Sequence, residues 1–317
     1  MMDDCAVNLK SLQDFSLLST WCGELSQMSA EEFDVYLAER GLLWKNRKCP
    51  GCLQPRSLTH QIGSYGQEIR LKFECSRKKC RRPGVQRKIG YLRNTFFEHL
   101  RDSRKTMFLA SVLFVDDLGR LEVRAEHCGV KESTMKQWDQ WFRDIIVETF
   151  VENETPLRIG GPKKVLQLEE VFISKRKYDR GRAERDSWLV GGVIYDSKEI
   201  FVEIASTRNS ATLDRIVAKH VRPGTVIQTN SWTGYSNLGN LGYVHQTVRH
   251  QPKFTATSAY TESVAWFKIE EMLEEFGLKA ALKNDEFLEF VWKWRHDNDS
   301  KLYLLWSEIA KRYPLID

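Results

Sequence analysis

Four cysteines, Cys49, Cys52, Cys75 and Cys80, carry the spacing of a metal site. Pro50 and Gly51 let the backbone turn between the first two, so that both thiolates face one ion. The second pair, separated from the first by 22 residues, closes a tetrahedron. The donor set reads as a structural Zn²⁺, which would hold together a ribbon too small to stand on its own core. Cys5, Cys22 and Cys128 have no partner at ligand spacing and read as ordinary core or surface residues.

The second pair sits inside "CSRKKCRRPGVQRK", where Arg77, Lys78, Lys79, Arg81, Arg82, Arg87 and Lys88 occur without an acid. Residues 45–105 hold 17 Lys and Arg against 4 Asp and Glu, a balance of +13. Residues 1–44 balance at −6, and 106–317 at −2. Charge concentrated in this way suits a polyanion, because each neutralised phosphate releases a counterion. Double-stranded DNA is the expected partner, with these seven side chains as candidate phosphate contacts.

A third group with chemical potential lies in "LEVRAEHCGVKESTMKQWDQWF", which has the cadence of a helix-turn-helix. Gly129 falls where the chain must turn, Val130 packs inward, and Trp138 and Phe142 share one face of the second helix. The opposite face presents Lys131, Ser133, Thr134, Lys136 and Gln137 near its start, placed to enter a major groove.

A fourth group is defined by what is missing. In "GTVIQTNSWTGYSNL" a buried-looking strand ends at Asn230, where a metal-dependent nuclease would carry an aspartate. Upstream, "LQLEEVFI" supplies Glu169 and Glu170 on another strand.

The elements that must position these groups change period along the chain. Residues 1–44 form an acidic helical lead-in, with Ser29 as N-cap, Glu32 three residues later and Gly41 near the end. Residues 45–98 read as a basic zinc ribbon with short alternating strands, and 99–151 as three helices containing the helix-turn-helix. The polar stretch 152–164 is the expected linker. Residues 165–317 give three strands, a helix, a strand, a short strand and further helices, an α/β layered domain with a mixed sheet. The expected fold class is therefore multidomain α+β. No run approaches 18 consecutive apolar residues, and the first thirty lack the charge and small-residue series of a secretory leader, so no membrane partner and no secretion are expected.

This order, with "LQLEEVFI", "PGTVIQTNSWTGY", "GYVHQTVRH", "YTESVAWF" and "FLEFVWKWR", resembles the Merlin superfamily of DNA transposases and related bacterial insertion-sequence transposases, over roughly residues 30 to 313. The resemblance implies an RNase H-like fold that cuts DNA with two divalent metals held by three carboxylates. Matched onto this chain, the first carboxylate position is Glu169, followed by Glu170. The second, aligned through Trp232, is Asn230, and the third, aligned through Thr261 and Phe267, is Ala265. One carboxylate of three remains, so no catalytic Mg²⁺ is expected; Glu262, three residues before Ala265, is the alternative third ligand. The expectation is a domesticated, non-cutting transposase that binds DNA in the nucleus as a homodimer, recruits other nuclear proteins and acts in transcription or chromatin. The alternatives are an active nuclease using Glu169, Glu170 and Glu262, and a protein scaffold that no longer binds DNA.

Overall fold

The computed structural model describes residues 9–62, 68–152, 158–173, 187–194, 196–248, 285–297 and 299–316. Seven α-helices follow in chain order among these residues: α1 Ala30–Glu39, α2 Arg104–Val115, α3 Leu121–Cys128, α4 Glu132–Glu152, α5 Ser210–His220, α6 Asp285–Arg295 and α7 Lys301–Arg312. Eight strands accompany them: β1 Ser57–Ile62, β2 Glu68–Glu74, β3 Lys88–Gly90, β4 Val165–Ile173, β5 Ser187–Ile194, β6 Glu199–Ala205, β7 Val226–Thr229 and β8 Val244–Thr247. They divide into two compact units, residues 1–145 with 299–317, and residues 146–298. None of the helices is long and apolar enough to cross a membrane.

In the first unit, α1 starts on the capping box expected from sequence: Ser29 Oγ accepts from Glu32 N, and the Glu32 carboxylate accepts from Ser29 N. The lead-in is less regular than its pattern suggests, since a 3-10 turn at Ser11–Asp14, a π turn at Leu17–Cys22 and a second 3-10 turn at Leu25–Gln27 precede the helix. Strands β1, β2 and β3 form an antiparallel ribbon in that order. Asp34, buried on α1, accepts from Tyr91 Oη at 3.0 Å and from Arg104 Nη2 at 2.9 Å, so one carboxylate ties the lead-in to both the ribbon and α2. Such a pair is costly to break, because removing either partner strands a buried charge.

α3 ends at Gly129, whose φ of 63° is the left-handed conformation that glycine adopts without a Cβ penalty. Val130 N bonds to Ala125 O and Gly129 N to Glu126 O, the double closure that stops a helix sharply. Arg124 grips Asp139 through both guanidinium ends, at 2.7 and 2.6 Å, and fixes α3 against α4. Trp138 and Phe142 are fully buried on the inner face of α4, as the sequence pattern requires, while Val130 is only half-buried.

The helix α7 departs from the sequence reading, which placed it with the α/β domain. It belongs to the first unit. Trp306 is fully buried there, stacked on Phe97 and Phe108 with ring centroids 5.8 and 5.4 Å away, and its indole N–H donates to Ser111 Oγ at 3.0 Å. An aromatic of this size decides where its helix packs.

The second unit is a five-stranded mixed sheet in the order β6-β5-β4-β7-β8. β4, β5 and β6 pair antiparallel; β7 and β8 add in parallel, β7 against β4. Parallel addition needs a crossover, and α5 lies between β6 and β7 in the chain. Its Leu213, Ile216 and Val217 fall on one face at helical spacing and join Leu166, Leu168, Ile194 and Ile227 in the core. Ile159 also belongs to this core, bonding His220 O through its N and accepting from Arg222 N. The end of the stretch expected as linker is therefore a bridge on the sheet's own framework, placed there by a buried isoleucine within otherwise polar sequence.

Candidate metal centre and strand-end carboxylate site

The ribbon brings the four expected cysteines together. Their sulfurs all lie within 4.8 Å of one another, and Cys49, Cys75 and Cys80 are buried while Cys52 is half-buried. A metal with Zn–S bonds of about 2.3 Å in tetrahedral geometry needs sulfurs about 3.8 Å apart. Cys52 and Cys75 are 3.9 Å apart, far beyond a disulfide and right for a shared ion. The cluster has the donors, size and burial to hold a metal such as zinc. The thiols differ in their surroundings: burial pushes Cys80 up to about 12, whereas the Gln54 backbone N–H leads the groups that hold Cys52 down to about 6. A bound cation would favour the thiolate at all four positions.

The local backbone explains the first pair differently from the sequence. Gly51 does not supply the left-handed residue of the turn; Leu53 does, with φ 57°. Gly51 supplies space instead. A Cβ there would lie 2.7 Å from Val85 Cγ1 and 3.4 Å from Cys80 Sγ.

The basic run around the second pair splits into two kinds of residue. Lys78, Lys79, Arg81, Arg82 and Lys88 are exposed. Lys88 pairs with Glu74 at 3.2 Å and Arg81 Nη2 bonds Ser76 O at 3.4 Å. Arg87 is half-buried and bonds Cys75 O at 3.3 Å, and Arg77, though exposed, reaches the cysteine sulfurs. On α4 and the turn before it, Lys131, Ser133, Lys136 and Gln137 are exposed and Thr134 is half-buried. Thr134 and Gln137 also line a polar cleft of about 670 Å³ with Arg101 and Trp141, residues the sequence reading did not single out. Only spatial proximity reveals that cleft.

In the second unit, two of the matched positions lie side by side on neighbouring parallel strands. Gln167 on β4 faces Gln228 on β7, so Glu169, in the middle of β4, and Asn230, just past the end of β7, lie two residues further along. Both line a cavity of about 70 Å³ with Gln167, Gln228 and Val248. The amide of Asn230 is nevertheless turned to Glu170. Its Nδ2 donates to Glu170 Oε1 at 3.2 Å, and its Oδ1 accepts from Trp232 N at 2.9 Å. The second bond is the short side-chain turn an asparagine makes at a strand end.

Glu170 is buried and hydrogen-bonded through both of its oxygens. Its side chain is 1% exposed. Tyr235 Oη donates to Oε2 at 2.5 Å, and Arg208 Nη1 lies 3.4 Å from Oε1. Burial, reinforced by the Glu170 charge, pushes the Tyr235 hydroxyl far above its ordinary range, which keeps it a proton donor. Arg208 is held between two indoles, its guanidinium carbon 4.2 Å from the Trp188 ring and 3.9 Å from the Trp232 ring. Trp232 Nε1 closes the arrangement by donating to Arg208 O. The sequence signalled Glu170 and Trp232 but gave no sign of Arg208 or Tyr235. Ala265 and Glu262 lie outside the described residues.

A mixed sheet whose strands, counted from β4, run 3-2-1-4-5, the first three antiparallel and the last two added in parallel, has the topology of an RNase H-like domain. Residues 159–272 match the ISXO2-like transposase domain, so the chain carries a transposase-like domain. No curated protein matches the sequence. Among solved structures, the HTLV-2 integrase catalytic core domain in complex with magnesium (trimeric form) is similar at 13% identity and a TM-score of 0.27, over 43% of this chain and 85% of that one. The simian T-cell lymphotropic virus intasome in complex with the PP2A regulatory subunit B56 gamma is similar at 15% identity and a TM-score of 0.27, over 57% of this chain and 66% of that one.

Proposed function

We propose that this protein is a transposase-derived DNA-binding protein, of the Merlin kind, whose RNase H-like domain no longer cuts DNA. The observation that carries the reading is the bonding of Asn230. It stands at the second metal-ligand position, it is neutral, and both ends of its amide are committed, to Glu170 and to the Trp232 backbone. An amide oxygen can ligate a divalent cation but brings no negative charge to offset it, and the site has lost the charge an aspartate would supply. With Ala265 matched to the third position, two of the three positions carry no carboxylate, fewer than two-metal chemistry requires.

The cysteine cluster holds a structural Zn²⁺ in this reading, with Cys49, Cys52, Cys75 and Cys80 as ligands; the metal supplies folding energy to the ribbon and no chemistry. Lys78, Lys79, Arg81, Arg82 and Lys88 contact phosphates. Lys131, Ser133, Lys136 and Gln137 at the start of α4 read a groove. The protein works as a homodimer in the nucleus and recruits other nuclear proteins, in a transcriptional or chromatin role. The test is a mobility-shift titration on duplex DNA with the zinc-loaded protein, run in parallel with and without Mg²⁺. Retarded, intact DNA in both lanes fits the proposal. Absence of any retardation at low salt would leave a scaffold that has lost DNA binding, and shortened DNA with Mg²⁺ would make the protein a nuclease.

A further inference from the structure

Arg77 stands in the middle of the basic run, where sequence alone places it among the phosphate contacts. Its position in the fold is unlike that of its neighbours. Nη1 lies 3.6 Å from Cys52 Sγ, 4.0 Å from Cys75 Sγ and 3.5 Å from Pro55 O. Cys52 belongs to the first cysteine pair and Cys75 to the second, on separate stretches of the ribbon. One guanidinium nitrogen thus spans the two halves of the metal centre and the backbone beside them.

The charge of the centre gives that position a purpose. Four thiolates around one divalent cation carry a net charge of −2, and three of the four cysteines are buried. The excess negative charge is least covered at half-buried Cys52, which is where the guanidinium rests. Hydrogen bonds from outside the ligand shell orient the ligands and tune their basicity, and losing one costs metal affinity. The guanidinium is permanently charged and more weakly hydrated than an ammonium, so it can rest against thiolates at small desolvation cost. Arg87 braces the same corner: its side chain donates to Cys75 O, and its own backbone carbonyl accepts from Cys75 N.

We propose that Arg77 is a positioning residue of the metal centre rather than a DNA contact: its guanidinium ties the two cysteine pairs together and offsets the charge of the thiolates. The inference rests on the reading of the four cysteines as metal ligands. It divides the basic run by role: Arg77 serves the metal centre, while Lys78, Lys79, Arg81 and Arg82, which have no ionic partner among the described residues, meet phosphate together with Lys88, which pairs with Glu74.

The experiment compares the full chain with Arg77→Met, Arg77→Lys and, as control, Lys79→Met. Each is loaded with Zn²⁺ for release to a colorimetric chelator, and with Co²⁺ for the thiolate-to-metal charge-transfer spectrum. Arg77→Met should lose zinc roughly 10-fold faster than wild type, with a shifted charge-transfer band, and Arg77→Lys should be intermediate. Lys79→Met should change neither property, yet lower the salt slope of DNA binding by about 0.9, which Arg77→Met should leave in place. Should Arg77→Met fail to fold, Arg77→Lys must still show the spectral shift. Zinc release and cobalt spectra identical to wild type in both Arg77 variants would overturn the inference alone. A wild-type chain that takes up neither metal would overturn the metal reading and this inference with it.

Discussion

Asn230 Nδ2 donates to Glu170 Oε1 across 3.2 Å, joining the end of β7 to the face of β4 opposite Glu169. The contact turns a would-be ligand position into a structural one, and it predicts an ordered series of stabilities. Asn230→Ala removes two hydrogen bonds, the one donated to Glu170 and the one accepted from Trp232 N, and should cost about 1–2 kcal/mol in the second unit without touching DNA binding. Asn230→Asp replaces a donor with a second carboxylate against Glu170 and should cost about 2 kcal/mol or more at neutral pH. The repulsion disappears once one of the two carboxyls takes a proton, so the Asp variant should recover toward wild type as pH falls. Urea titrations at neutral and mildly acidic pH give the comparison; an Asp variant more stable than the Ala variant at pH 7 would contradict it.

Zinc should be part of the folded ribbon. Cys75→Ser removes a buried ligand, and because ligation energy is folding energy in so small a unit, it should unfold residues 45–90 while sparing the sheet of the second unit. Metal analysis should find one zinc per chain in wild type, and hydrogen exchange should localise the loss. A Cys75→Ser protein with a protected ribbon would be inconsistent with the metal centre.

DNA binding should weaken steeply with salt. With five or so phosphates contacted, log K against log salt should fall with a slope of about −4 to −5. Neutralising Lys78, Lys79 and Arg82 together should reduce its magnitude by about 2.7. Fluorescence anisotropy on labelled duplex measures it, and a slope unmoved by all three changes would shift the interface elsewhere.

Acid should destabilise the second unit in two stages. Glu203 on β6 accepts from Lys219 at 2.8 Å and pairs with His220 at 2.7 Å and Arg215 at 3.1 Å. Burial works against its ionisation, but the Lys219 and His220 hydrogen bonds prevail and hold its carboxyl below the ordinary 4.5. Burial also holds His220 below its ordinary 6.5, against the pull of Glu203. Both groups favour the deprotonated form in the fold, so their stabilisation is complete above the ordinary value and is lost as pH falls below it. Tm should be level above pH 7, decline from near 6.5, and fall faster below 4.5; Glu203→Gln should flatten the lower stage. A Tm that rises between pH 7 and 5 would contradict this.

Local signals in the sequence were the ones that carried through to the structure. The Ser29–Glu32 cap, the stop at Gly129 and the spacing of the four cysteines each depend on residues close in the chain, so pattern suffices to place them. The β4, α5 and β7 segments were legible from period, and β4 and β7 are neighbours in the sheet. What could not be read depends on distant partners. Trp306 draws α7 to Phe97, Phe108 and Ser111, about two hundred positions away, a grouping that composition does not signal. Arg208 and Tyr235 reach Glu170 only because α5 and the turn after β7 pack over one end of the sheet. Arg77 looked like its basic neighbours until the ribbon folded it back over two sulfurs.

The measurement that bears most directly on the central claim is DNA cleavage and strand transfer by the purified, zinc-loaded wild-type chain with Mg²⁺ and with Mn²⁺, scored on supercoiled plasmid beside Asn230→Ala. The account predicts that wild type binds the plasmid and leaves it supercoiled with either metal, indistinguishably from the variant. Robust metal-dependent nicking or strand transfer by wild type, abolished in Asn230→Ala, would contradict it.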